Sequence, residues 1–305
     1  MGIIGSFLGW AATAAGEKIA MAAVKQVAKQ VAIGSLYVFG GAICAIAPNK
    51  KGLLVNKDYV IESPQFKVSI PLDSSRQQRK ILKETSSCLE DLKKTANKTY
   101  KHLNDLANVK MQLLSCFAQF ALYLKKIVDA PEQINERIKY DVETPTLNEL
   151  VQYIKDSVDF FVGFDEIKLH VAAHGFVPFD TNNDDSVYYL LPLEKELVNI
   201  DIESVDNPKQ LYRDINELQH TYNSVNRYIR EYIEKLETCS KRYTNMLNDF
   251  GKVIKKNNKY PKIKRMVNGS YVSTILIIDL INTDLFDGNK INDKVLKTRM
   301  NRKMI

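Results

Sequence analysis

Residues 207–256 read NPKQLYRDINELQHTYNSVNRYIREYIEKLETCSKRYTNMLNDFGKVIKK, and the spacing of their apolar side chains decides the fold. Leu211, Ile215, Leu218, Tyr222, Val225, Ile229, Tyr232, Leu236, Cys239, Tyr243, Met246, Phe250 and Val253 follow one another in steps of four and three. That is the 3.5-residue repeat of a left-handed coiled coil. Asn207 is a good N-cap, and Pro208 suits the first helical position, where its missing N–H leaves no partner wanting.

A second long helix is expected from the Asp73-Ser74-Ser75 cap toward Asp129, with Pro131 as its stop. Its stripe is Ile81, Thr85, Cys88, Leu92, Thr99, Leu103, Leu106, Leu113, Phe117, Phe120, Leu124 and Ile127. At 1.5 Å per residue, each helix would be on the order of 70 Å long, too long for a compact globule. The expected architecture is mainly α, with an elongated antiparallel helical bundle or coiled coil over 73–256. A small irregular insertion occupies 131–206. In it, Thr146 and Glu149 have capping-box spacing ahead of a helix with Leu147, Leu150, Val151, Ile154, Val158 and Phe161 inward. Ile167 to Leu191 reads as an exposed loop or small hairpin. Residues 51–72 form an extended linker in which Phe66, Val68 and Ile70 alternate with polar residues between Pro64 and Pro71.

The front of the chain is of a different character. Residues 1–16 and 31–47 carry no charge, although 26% of the whole chain is charged. Residues 31–47, VAIGSLYVFGGAICAIA, lie at the lower edge of the roughly 17 to 25 residues needed to span a bilayer. Residues 1–50 are therefore a helical, membrane-seeking region. Phe7, Trp10, Val31, Leu36, Val38, Phe39 and Ile43 are the side chains expected to enter lipid. Gly5, Gly9 and Gly16 fall on small-xxx-small lines that let helix backbones approach closely. Between the uncharged stretches, Lys18, Lys25 and Lys29 point within about 20° of one line on an otherwise apolar helix. Such a stripe suits a bilayer interface or a wet channel. A cleaved signal peptide, a buried helical hairpin and N-myristoylation at Met1-Gly2 are the alternatives for the same residues.

The formal charge of +7 is uneven. The segment 257–305 is basic, and with the end of the second long helix it gathers Lys255, Lys256, Lys259, Lys262, Lys264 and Arg265 without an acid among them. Anionic lipid headgroups fit such a cluster. A solvated helix end is the plain alternative. Nucleic acid fits less well, because aromatic interleaving is confined to Tyr260. VSTILIIDLI (272–281) is too short to span a bilayer and contains Asp279, so a docking helix or buried strand is expected.

Catalytic signals are absent. His170 and His174 stand four apart, but HVAAH lacks the glutamate of a zinc protease motif. Asp180 to Asp184 begins like a calcium loop, yet Asp185 replaces the turn glycine and Leu191 the final glutamate. The four cysteines are scattered, with no CxxC, and Cys88 and Cys239 sit on the helical stripes. No enzyme, cofactor or metal centre is expected, and a reducing compartment suits the body.

The layout of long helices plus an apolar inserting segment is similar to that of alpha-helical pore-forming toxins of the ClyA and two- or three-component cytolysin type. The resemblance covers most of the chain in arrangement and rests on no shared motif. It implies insertion of residues 1–47, self-association and permeabilisation of a bilayer, and it transfers no individual residue. The alternative is a membrane-anchored coiled-coil scaffold that binds a protein partner.

Overall fold

The computed structural model describes residues 60–66, 76–131, 148–149, 152, 168–176, 189–198, 208–287 and 290–297. Six helices and one small hairpin are assigned among them: α1 (Arg76–Leu124), α2 (Lys168–His174), α3 (Pro192–Val198), α4 (Pro208–Lys256), α5 (Tyr260–Ile281), β1 (Phe286–Asp287), β2 (Lys290–Ile291) and α6 (Lys294–Lys297). The described residues are mainly α, as their periodicity implies. The hairpin is antiparallel, with Phe286 opposite Ile291.

The two long helices are 49 residues each, or about 73 Å at 1.5 Å per residue. They pack along one another and bury one continuous seam. From α1 it takes Leu92, Leu103, Leu106, Leu113, Phe117 and Phe120; from α4 it takes Ile215, Leu218, Tyr222, Ile229, Tyr232, Leu236 and Phe250. Cys239 is buried in it, whereas Cys88 is only half-buried at its margin. Toward the end of α4 the heptad breaks. Leu247 and Ile254 are buried, and Met246 and Val253 are half-buried instead. Two consecutive steps of four, Cys239 to Tyr243 to Leu247, lengthen the repeat locally and relax the supercoil.

The direction of the pair corrects the antiparallel expectation. His102 bonds Asn226, Cys116 lies 3.9 Å from Thr244, and Phe117 and Phe120 pack on Tyr243 and Phe250. Partners on α4 advance as α1 advances, so the helices are parallel. Val128, just beyond α1, makes a parallel bridge to Lys259, just beyond α4. Periodicity fixes which face is apolar but carries no information about partner direction. The long intervening segment permits what a short loop would forbid.

α5 then turns back along α4. Tyr243 Oη lies 2.5 Å from Thr274 Oγ1, and Tyr232 donates to the Leu280 carbonyl at 2.5 Å. Lys259 precedes the helix with extended backbone, and Pro261 occupies its first turn. The run 272–281 is therefore the buried end of a docking helix rather than a strand. The 167–191 region also needs correction, because residues 168–174 form a helix whose side chains through Ala173 are buried. Residues 60–66 are irregular, with Ile61 and Phe66 buried and Ser63 bonded to Asn97 of α1.

Candidate functional site

Three places in the described residues combine polar chemistry with a fixed position: two buried nodes between helices and one basic end. The first node centres on Glu194, fully buried in the first turn of α3. Its Oε2 accepts from Tyr100 Oη of α1 at 2.7 Å and from the Leu190 N–H at 2.7 Å. Its Oε1 accepts from Tyr222 Oη of α4 at 2.7 Å, and the Leu191 N–H supplies a further bond. The carboxylate thus reaches back to the backbone before its own helix, as a capping glutamate does, while joining α1 to α4. Burial pushes the Glu194 carboxyl up, and the two phenols and two amides oppose that shift. Burial beside this carboxylate raises both tyrosines.

The second node centres on Lys110, also fully buried. Its ammonium donates to the Ala172 carbonyl at 3.0 Å and stands 5.2 Å from the ring centre of Tyr232. Burial lowers its pKa to about 7, with the Asp284 charge opposing that shift. Ala172 lies in the last turn of α2, where carbonyls have no partner within the helix. Its neighbours are met differently: Gly175 N–H bonds Val171 O at 2.9 Å, and Leu285 N–H bonds Ala173 O at 2.8 Å. Gly175 has φ +79, and a Cβ there would lie 2.4 Å from the Ile281 carbonyl. Glycine is required on both counts. Phe176 N–H to Asn282 Oδ1 (2.8 Å) and His174 to Asp284 (2.9 Å) complete the tie between α2 and the chain after α5.

The basic end lies where α4 gives way to α5. Lys255, Lys256, Lys259, Lys262, Lys264 and Arg265 are all exposed there, which agrees with a solvated charged surface. His170 and His174 do share a helix, with ring centres 4.9 Å apart. No group of three metal-ligating side chains occurs among the described residues. Phe7, Trp10, Val31, Leu36, Val38, Phe39, Ile43, Gly5, Gly9, Gly16 and the Lys18, Lys25, Lys29 line lie outside the described residues. So does the calcium-like segment 180–185. Among the described residues no helix is long and apolar enough to cross a membrane.

Sequence reasoning missed both buried nodes. Lys110 carried a signal, since it stands on the seam between Leu106 and Leu113, four beyond the one and three before the other. A lysine on a coiled-coil seam asks for a buried acceptor. Glu194 carried less, only the position two residues after Pro192 in a short helix. No family model matches the chain, and neither a curated protein nor a solved structure matches it.

Proposed function

We propose that the protein acts at a membrane, with residues 1–47 entering the bilayer and the α1–α4–α5 body held beside it. The single observation that carries this reading is the lack of charge over 1–16 and 31–47 in a chain that is 26% charged. Removing such stretches from water is favourable by roughly 25 cal/mol per Å² of apolar surface. The basic residues Lys255 to Arg265 support the reading, because anionic headgroups attract clustered lysines.

Of the two forms this action takes, an anchored scaffold has more support than a perforating toxin. The resembling toxins combine long antiparallel helices, and here the long pair is parallel. The seam is also tied by Glu194 and Lys110, which favours a body that keeps its shape. The scaffold would meet a coiled-coil partner or a second copy through surface outside the α1–α4 seam, whose apolar stripes already fill each other. The perforating form is favoured by one feature, the line Lys18, Lys25 and Lys29, which suits a wet channel.

Fractionation of cells expressing the full chain and a version lacking residues 1–47 tests the common claim. Only the full chain should sediment with membranes, and equal partitioning of both would end the proposal. Dye release from liposomes separates the two forms. Retention of dye with stable membrane binding identifies the anchor. Release whose ion selectivity changes on charge reversal of Lys18, Lys25 and Lys29 identifies the pore.

A further inference from the structure

Because α1 and α4 run in parallel, both end at the same place, and α5 begins there. The junction is stitched by backbone bonds: Val128 N–H to Asn258 O at 2.9 Å and Tyr260 N–H to Val128 O at 2.9 Å. Asn258 Nδ2 adds a bond to the Lys126 carbonyl at 3.1 Å. Lys125 and Lys126, which the sequence separates from the basic cluster by more than a hundred residues, are therefore brought beside it, and both are exposed. The described acids nearby are few. Asp249 lies 2.9 Å from Lys252, and Asp129 is an exposed turn residue with φ 61.

Among these cations stands Val128, 45% exposed and one of few large apolar side chains left open in the described body. An exposed apolar group two residues from Lys126 and bridged through its backbone to Lys259 is poorly placed in water. It is well placed at the headgroup boundary of a bilayer, where lysine stems also find apolar surroundings.

We propose that this composite end, built from Lys125, Lys126 and Val128 after α1 and the lysines of the α4–α5 turn, docks end-on against an anionic lipid surface. The proposal rests on the membrane reading above and adds which part of the body faces the bilayer. Nucleic acid is the weaker fit on two counts. The cluster is lysine with a single arginine, Arg265, whereas planar bidentate phosphate recognition favours arginine. Its aromatic rings are committed to the body: Tyr260 is buried with its hydroxyl on Asn268 at 2.8 Å, and the half-buried Tyr123 packs edge-on against Phe250 with the Lys126 ammonium 6.0 Å from its ring centre.

The test uses the full chain with vesicles of phosphatidylcholine alone and of phosphatidylcholine with phosphatidylserine. Lys125→Gln with Lys126→Gln is compared with Lys93→Gln with Lys94→Gln, an equal charge change in the middle of α1. The wild type should bind the serine-lipid vesicles more tightly. The end pair should reduce that preference roughly tenfold or more, and the mid-helix pair should leave it nearly intact. All three should bind phosphatidylcholine alone equally, through residues 1–47. A fluorophore on Val128→Cys should shift to the blue on anionic vesicles, and one on Lys94→Cys should not. Equal losses from both pairs would reduce the effect to net charge and overturn the proposal. A wild type indifferent to phosphatidylserine overturns it while leaving the membrane reading standing. Failure to bind either vesicle removes both. Tighter binding of a single-stranded RNA oligonucleotide, governed by the end pair, would reassign the surface to nucleic acid.

Discussion

Lys110 occupies a seam position of α1, where the heptad asks for an apolar side chain and the fold instead uses a cation. The ammonium is tolerated because it meets the Ala172 carbonyl and the face of Tyr232. The carbonyl end of a helix also favours positive charge. Burial nevertheless holds its pKa near 7, below the ordinary 10.5. The facing groups that bear on it are Asp284 after α5 and Tyr232 on α4. The sign follows from linkage. Between about pH 7 and 10.5 the unfolded chain binds a proton here that the folded chain does not, so this group adds stability as pH rises. Its contribution should approach about 1 kcal/mol per pH unit in that window. Lys110→Met removes the charge and keeps much of the volume, but leaves Ala172 without its donor. Urea unfolding should find the variant clearly less stable than wild type at pH 9 and much closer to it at pH 6. A difference that does not vary with pH would refute buried titration. Such a residue is half legible in sequence. The lysine is visibly on the seam, but its acceptor lies on a segment read as loop.

At the scale of elements, both long helices were readable from spacing and caps. Pro208 marks the start of α4, and the described α1 begins at Arg76, directly after the Asp73-Ser74-Ser75 cap. Their mutual direction was not readable, because a stripe is the same stripe whichever way its mate runs. The short helices were not readable for a different reason. A seven-residue segment such as 168–174, buried nearly all round, shows no periodicity, and tertiary contacts decide its conformation. The parallel register can be checked with one introduced thiol. Cys116 Sγ is 3.9 Å from Thr244 Oγ1, so Thr244→Cys should form a disulfide with Cys116 under mild oxidation, without loss of helicity. Peptide mapping identifies the bond. An antiparallel pair would place these positions tens of ångströms apart and give none.

For the molecule as a whole, the basic end was legible from charge alone. The composite nature of that end was hidden, because Lys126 and Asn258 become neighbours only through the register of α1 on α4. The long segment between α1 and α4 sets the kinetics of folding. Helical bundles with short loops fold in microseconds to milliseconds because their contacts are local. Here each seam contact joins residues more than a hundred positions apart, as in the pairs of Phe117 with Tyr243 and Phe120 with Phe250. Stopped-flow tyrosine fluorescence should therefore resolve a main refolding phase slower than milliseconds, and loss of the full amplitude within the dead time would contradict rate-limiting closure of so distant a seam. During synthesis the consequence is a waiting time. Translation at about 5–20 residues per second delivers α4 several seconds to tens of seconds after α1 has left the ribosome. Throughout that interval Leu92, Leu103, Phe117 and Phe120 remain without their mate, a nascent sticky ridge for chaperones to shield.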